Sequence, residues 1–566
     1  MHFSSIISAT ALLFAHSTLA DVPLITNATD FTTLADTDKG FPSQTFRSSD
    51  IIAPVFLVNK WEQDQVDNAS FIFFGTVYGE NKAGPMIFDA RDMSLVYADQ
   101  KYENTYTSNV HVINGTRYFA FWEGGHTRGH ANGNCLFFDE NYNLKYNVTA
   151  QGLNDARADM HELSVTQSGT IIFSTYFNIP FDCRSVGGPE NALLMDSGFQ
   201  EVDAATNDFK TQDGNYLVSS RHMSILTLIH GKDGHPIWIL GGRQNQFTDL
   251  SNGAATNISW QHDARIIPSY NITDETHITL FDNHGEYSGP CQGKCQTRAL
   301  RIAVNQVLRT ARVVSEFFHP ENIDSGAMGG YQTLDSGNIM TGWGYYPGFV
   351  EYTSDGTPVM DFQRGAIGGE PLPDMFAYRV NKGDWKGNPS WPPSVAADAP
   401  NNSTLNATVY VSWNGATEVA SWAIFASNDH SSINSHTNLI AESPRDGFET
   451  AISLSSQNTT RRYVGAAAVS SSGDVLGSTI VIDLQNGGKP ATVESGIITL
   501  KPPSPSPPPS STSGSRSTST SSVGVMGGSI FGAAGVFYAG VYYWRRRARA
   551  RRGHGEEGYR MVNLRD

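Results

Sequence analysis

The sequence predicts an all-β protein: a six-bladed β-propeller, then a small immunoglobulin- or fibronectin-like β-sandwich, then a single transmembrane helix. Three observations lead there. One phrase recurs with variation at wide spacing: DMHELSVTQSGTIIFSTY from Asp159, TNDFKTQDGNYLVSSRH from Thr206, WQHDARIIPSYNITDETHITLFDNH from Trp260 and GGYQTLDSGNIMTGWG from Gly329. Each copy reads as strand, tight turn, strand, and repetition of an antiparallel hairpin at such spacing is the signature of a propeller. After a Pro-rich joint, NPSWPPS, the alternation resumes around Trp413 and Trp422 as expected core anchors, which reads as a sandwich. Last, Val523 to Trp544 is apolar, uncharged and long enough to span a bilayer.

Taken in order, residues 1–20 carry an apolar run from Ile6 to Leu13 and small residues at Thr18 and Ala20, the pattern of a cleaved secretory signal. The propeller is expected over 50–390. Its second strands are expected near Phe71, Arg117, Thr170, Asn215, His277 and Asn338, with a strand near Ile51 completing the last blade and closing the ring. The sandwich follows over 395–490. Residues 500–522 are Pro, Ser and Thr without apolar period, an extended stalk. The helix at 523–544 is followed at once by six arginines from Arg545 to Arg552, so the tail, 545–566, is expected to be cytoplasmic and the globular part extracellular or lumenal, a single-pass type I arrangement.

Ten glycosylation sequons from Asn27 to Asn458 and all four cysteines lie on that outer side, where disulfides persist. A local Cys291–Cys295 bridge with a separate Cys135–Cys183 bridge would use every thiol, and no metal motif is evident in CQGKC. The formal net charge is -16, and the basic tail leaves the remainder near -21, which argues against nucleic acid as a partner. No cofactor-binding motif appears, and a quinone-dependent dehydrogenase is disfavoured because no repeating tryptophan-docking motif is visible. Gly528 and Gly532 permit helix pairing without fixing an oligomeric state.

In a propeller the starts of innermost strands and the loops after second strands share one face. This places His161 and His262 at matching strand starts, with His126, Arg128, His130, Arg221, His222, His284, Tyr345 and Tyr346 in loops on the same side. Several imidazoles with an arginine, and no phosphate loop or serine elbow, suit binding and transfer of an anionic group. A histidine supplies the nucleophile or acid, and Arg221 or Arg265 the cationic donors. Strand alternation opposes Arg265, which should point away from His262 if the strand is regular. Glu162 and Asp263 follow the two histidines and can orient imidazoles or cap strand ends.

The phrases DMHEL, WQHDAR, FDNHG, FWEGGHTRGHANG and YQTLDSGN to WGYYPG resemble the arylsulfotransferase family, particularly its eukaryotic and mainly fungal branch, over roughly Ala53 to Gln363. The resemblance implies a six-bladed propeller in which a channel histidine takes the sulfuryl group from a phenolic sulfate ester and passes it to another phenol, without a nucleotide donor. It implies His161, His262 and His284 as catalytic residues, with Arg221, His222, Arg265, His130, Gln332 and Tyr345 around the substrates. Bacterial members carry their sulfated histidine at a late blade, where this chain has Gln332. The expected partners are therefore a small aryl sulfate and a phenol, plus the membrane through one helix. The alternative is a non-catalytic cell-surface propeller that binds glycans or other ligands.

Overall fold

A computed structural model describes residues 20–491, apart from 38–39, 77–82, 128, 154–155, 211–213, 269–273, 367–375 and 455–459; at 37, 126 and 127 only the backbone is described. Residues 1–19 of the expected signal segment, the expected stalk, the expected helix at 523–544 and the basic tail lie outside the described residues, as does Arg128. Among the described residues no helix is long and apolar enough to cross a membrane. A helix at Ala28–Thr37 has no sequence expectation; it is started by the Asn27 side chain, whose Oδ1 accepts from the backbone N–H of Thr29 and Asp30.

The rest of the described residues are mostly strands, arranged in a propeller-like way, with a few short 3-10 turns between them. The first sheet runs Asn381–Gly383, Phe71–Thr76, Gly84–Asp89, Leu95–Ala98. The second runs Thr105–Ile113, Thr116–Thr127, His130–Phe138, Leu144–Val148, and a single Ala158–Gly133 pairing joins it to the third, Ala158–Val165, Thr170–Phe181, Ala192–Asp203. The fourth is Asn215–Ser220, Ile225–His230, Pro236–Gly241, and the fifth His262–Ile266, Glu275–Asp282, Arg298–Asn305, Thr310–Phe317. The sixth is Gly330–Thr333, Ile339–Gly342, Gly348–Tyr352, Pro358–Gln363, with Leu57–Trp61 added at its outer edge. That added strand begins a few residues later than the sequence suggested, because Ile52–Pro54 pairs instead with Ser43–Thr45. The Thr206 copy of the repeat also differs: its first half contributes only a Val202–Phe209 bridge to the third sheet, and its regular strand is the second half, Asn215–Ser220.

The Asp159 and Gly329 copies of the phrase form the same turn, which recurs between Gly348–Tyr352 and Pro358–Gln363. Thr166 to Thr170, Leu334 to Asn338 and Thr353 to Thr357 each close with an N–H donated by the first residue to the carbonyl of the fifth, and one donated by the fourth, a glycine, back to the first. Those glycines, Gly169, Gly337 and Gly356, have φ of 79°, 89° and 96°, a conformation that other residues adopt only at a cost. This is why SG or DG marks these three turns.

Neighbouring sheets bury their faces against each other. One cluster joins the first and sixth sheets through Phe74, Phe88, Phe349 and Phe362; others join the first to the second, the second to the third, the fourth to the fifth and the fifth to the sixth. Burial of this kind contributes roughly 25 cal/mol per Å2 of apolar surface and is the main force holding the sheets. The third and fourth sheets meet through Phe199 on Tyr216, whose hydroxyl donates to Glu201.

Beyond Trp391, the sheet Ser394–Asp398, Thr408–Ser412, Glu449–Ser453 shares a core with a second sheet centred on Ser421–Ser427 and Tyr463–Val469, in which Trp413 and Trp422 are buried. Asn414 and Gly415 pair with the backbone of Ala98 and Val96, tying these sheets to the first one.

Residues 178–196 form a separate small unit. Within it Arg184 pairs with Asp182 and Glu190, and a cavity of about 330 Å3 is lined by Phe181, Asp182, Asn191 and Leu193.

Of the expected disulfides, Cys291–Cys295 is present. The expected Cys135–Cys183 bridge is not: both are free thiols. Cys135 is an inward position of the strand His130–Phe138, fully buried in the core shared by the second and third sheets, where it serves as a small apolar side chain. Its burial pushes the thiol pKa up.

Candidate functional site

His161 lies near the start of the strand Ala158–Val165, two residues after Asp159, so the pleat brings both side chains to one face. The Asp159 carboxylate is fully buried and sits 2.5 Å from His161 Nδ1. It also accepts from the backbone N–H of His161 and Ala131 and from Ser174 Oγ. Burial alone would raise its pKa, but the contacts with His161 and these N–H donors hold it below the usual carboxylate value. An ionised carboxylate on Nδ1 fixes the tautomer that leaves the lone pair on Nε2. The His161 side chain keeps 26% of its surface, so this nitrogen belongs to an accessible ring. Tyr176 and Tyr378 flank it, with ring centres 5.8 and 5.9 Å away.

His262 is close to the same point, since Tyr378 also packs edge-on against it at 6.3 Å. Its chemistry is different. Nδ1 is 2.6 Å from Asn283 Oδ1, and the Asn283 amide is oriented by donating to the carbonyls of Ser325 and Met328. Nε2 accepts from the Met328 backbone N–H. Both ring nitrogens are therefore committed, and burial pushes the pKa down to about 3. A ring held this way is a neutral strut.

Arg265 bonds both oxygens of Glu162 through its two terminal nitrogens at 2.8 and 3.1 Å, and Asp263 through Nε at 3.0 Å. Arg379 joins them, donating to Glu162 and to the carbonyl of His161 and lying 3.2 Å from Asp263. Burial would raise the Glu162 pKa, yet the two guanidinium groups bring it down to about 2. Two cations and two anions balance here, so Arg265 has no charge to spare. Its placement depends on a register shift between His262 and Arg265 with Asp263 at φ 52°, which breaks the alternation that a regular strand would impose. Trp260 and Met328 beside it also have positive φ, and such strain gathers where a structure over-determines its backbone.

Arg221 and His222 occupy a short 3-10 turn after Asn215–Ser220. The Arg221 guanidinium lies over the Trp260 ring at 4.0 Å and donates to the Gly326 carbonyl, and among the described residues it forms no ion pair. His222 packs on the same indole at 5.2 Å. Burial, then the Arg221 charge and His161, lower the His222 pKa, and both Asp159 and Arg221 act electrostatically on Tyr176. The Gln261 side chain, immediately before His262, holds this turn by donating to Ser219 Oγ and to the carbonyls of Ser220 and Ile225.

The other expected residues divide. His130 packs against Tyr176 at 5.9 Å, and Tyr345 stacks on Phe376 in the cluster that contains Tyr378. Gln332 uses both ends of its amide on the backbone of Lys382, stitching Gly330–Thr333 to Asn381–Gly383. His284 stands 3.5 Å from Asp282, which raises its pKa, and its other charged neighbours are Arg298 and Asp324. Sequence reasoning missed Asp159, Tyr176, Tyr378 and Arg379. The D-x-H spacing was a usable signal for the first; Arg379 carries none.

Residues 109–211 and 209–365, under half of the 566-residue chain, match the family model described as arylsulfotransferase (ASST). The match supports an arylsulfotransferase-like function for this region and does not distinguish branches within the family. No curated protein matches the chain. Among solved structures, a protein of unknown function from Bacteroides caccae is 12% identical with a TM-score of 0.32, covering 55% of this chain and 98% of that one. An exo-beta-1,3-galactanase from Phanerochaete chrysosporium is 8% identical with a TM-score of 0.24, covering 70% and 95%. A dihydro-heme d1 dehydrogenase is 9% identical with a TM-score of 0.26, covering 71% and 80%. Likenesses this slight carry no argument about this chain.

Proposed function

We propose that this chain is an aryl-sulfate sulfotransferase in which His161 Nε2 carries the sulfuryl group between phenols. The observation that carries the reading is the buried Asp159 carboxylate on Nδ1 of a partly exposed ring, together with an arginine that forms no ion pair among the described residues. In the first half-reaction Nε2 attacks sulfur, the bond from sulfur to the phenolic oxygen breaks, and the phenolate leaves with that electron pair. Asp159 stabilises the cationic sulfated imidazole, and Arg221 faces the sulfonyl oxygens. In the second half an acceptor phenol loses its proton to His222, which burial and Arg221 keep neutral near pH 7, and its oxygen takes the sulfuryl group from Nε2. His222 begins the first half unprotonated, so donors whose phenolates leave without a proton are favoured.

The six sheets are read as blades of one closed ring, with Asn381–Gly383 and Leu57–Trp61 fastening its two ends. The protein is placed at a membrane as a type I glycoprotein on the strength of its sequence, with the eukaryotic and mainly fungal branch as its origin. The test is to incubate the full chain with para-nitrophenyl sulfate and a second phenol. Sulfated acceptor should accumulate with nitrophenol release, and His161→Ala should abolish both. Absence of transfer across a panel of donors, with ligand binding retained, would establish the glycan- or ligand-binding alternative instead.

A further inference from the structure

We infer that the turn between Ile225–His230 and Pro236–Gly241 is a binding site for one divalent transition-metal ion of the zinc or copper type, held by His230, Asp233 and His235. The sequence HGKDGHP puts an imidazole at each end of a tight turn and a carboxylate between them. His230 donates its N–H to the His235 carbonyl and Gly234 donates back to the carbonyl of His230, with Gly234 at φ 70°. The Asp233 carboxylate accepts from the backbone N–H of His235, which fixes its direction. Both imidazoles then converge on one oxygen: Asp233 Oδ1 is 2.9 Å from His230 Nδ1 and 2.5 Å from His235 Nδ1. The rings stack with centres 5.0 Å apart.

This is a compact donor set. All three ligand atoms lie within 4.8 Å of one another, while a tetrahedral zinc ion with bonds of about 2.0–2.1 Å needs its ligand atoms roughly 3.3 Å apart. An opening of under about 1 Å, within the reach of side chains that are 37%, 42% and 54% exposed, admits the ion. When Nδ1 of each imidazole becomes a ligand, the ring proton is carried on Nε2. Two imidazoles and a single carboxylate suit zinc or copper and are too poor in oxygen for calcium or magnesium. Water completes the coordination, and the Lys232 ammonium in the same turn limits affinity. The site stands at the opposite end of Ile225–His230 from Arg221 and His222, about 17 Å along the strand at roughly 3.3 Å per residue. It is independent of the sulfuryl-transfer reading.

The test is calorimetric titration of the metal-free full chain with zinc alone, repeated on His230→Ala, His235→Ala and, as a control, His222→Ala. One equivalent is expected in the native protein and in His222→Ala, with binding at least about tenfold weaker in the two turn variants. The copper-loaded protein should give an electron paramagnetic resonance spectrum with two nitrogen ligands, reduced to one in either turn variant. Both variants alter exposed side chains, and unchanged melting without metal confirms that they fold. Zinc binding unaltered in both variants, or no binding up to millimolar zinc, overturns the assignment.

Discussion

Replacing Asp159 by Asn removes one charge and almost no volume from the centre of the proposed site. Four donors converge on this carboxylate: His161 Nδ1, two backbone N–H groups and Ser174 Oγ. An amide offers one acceptor oxygen and one donor NH2 in place of two acceptors. If the oxygen faces His161, the NH2 opposes the Ala131 N–H; if it faces Ala131, the NH2 opposes His161 and drives its proton to Nε2, burying the nucleophile's lone pair. At least one buried donor loses its partner either way, at about 1–3 kcal/mol, and the surviving bonds lose their charge assistance, for roughly 2–4 kcal/mol of stability in all. The kinetic effect is larger. The corresponding change in serine hydrolase triads costs about 10⁴ in kcat, or about 5 kcal/mol of transition-state stabilisation, because the imidazolium loses its counter-charge and its tautomer. Rapid-mixing measurement of phenol release reads the sulfation step, and thermal melting reads stability. Ser174→Ala removes one of the four donors and should cost tenfold at most. A folded Asp159→Asn protein that releases phenol within tenfold of the native rate would refute the dyad.

Arg221→Gln should lower kcat/KM by about 10²–10³ while leaving the melting temperature nearly unchanged, since the guanidinium forms no ion pair among the described residues. His262→Gln should cost about 2–4 kcal/mol in urea unfolding through its two buried hydrogen bonds, yet retain a sulfatable His161. Asp361 is buried with its pKa pushed up to about 7, chiefly by desolvation, so the native state keeps a proton that the unfolded chain loses above about pH 4. Native stability therefore falls as pH rises from 4 to 7. Asp361→Asn should match the native protein at pH 4 and exceed it at pH 8, by up to about 4 kcal/mol in urea titrations at the two pH values. With a thiol reagent, Cys183 should react in the native protein and Cys135 only after unfolding; a native protein with no reactive thiol would restore the Cys135–Cys183 bridge.

The hairpins were legible because their signal is local. Each SG or DG turn needs a left-handed glycine at one position, and the flanking alternation follows the pleat. Grouping His161, Arg221 and His222 required only that the starts of innermost strands and the exits of second strands share a face; Tyr378 packs on His161, and Trp260 packs on Arg221 and His222. Side-chain commitments were not legible. Nothing in WQHDAR announces that Asn283 and Met328 will occupy both nitrogens of His262, or that a register shift will turn Arg265 onto Glu162. Gln332 occupied a position that the resemblance made conspicuous, and the structure commits it to backbone stitching. Cys135 shows the limit of counting thiols, since a buried strand position demands a small apolar group whatever its redox chemistry.

The most direct test of the central claim is to mix the full chain with an aryl sulfate in the absence of acceptor, quench, and map the modified residue by mass spectrometry. A sulfuryl group on His161, discharged on adding a phenol, is the expected result. A label on His262 or His284, or turnover with no covalent label at all, would contradict it.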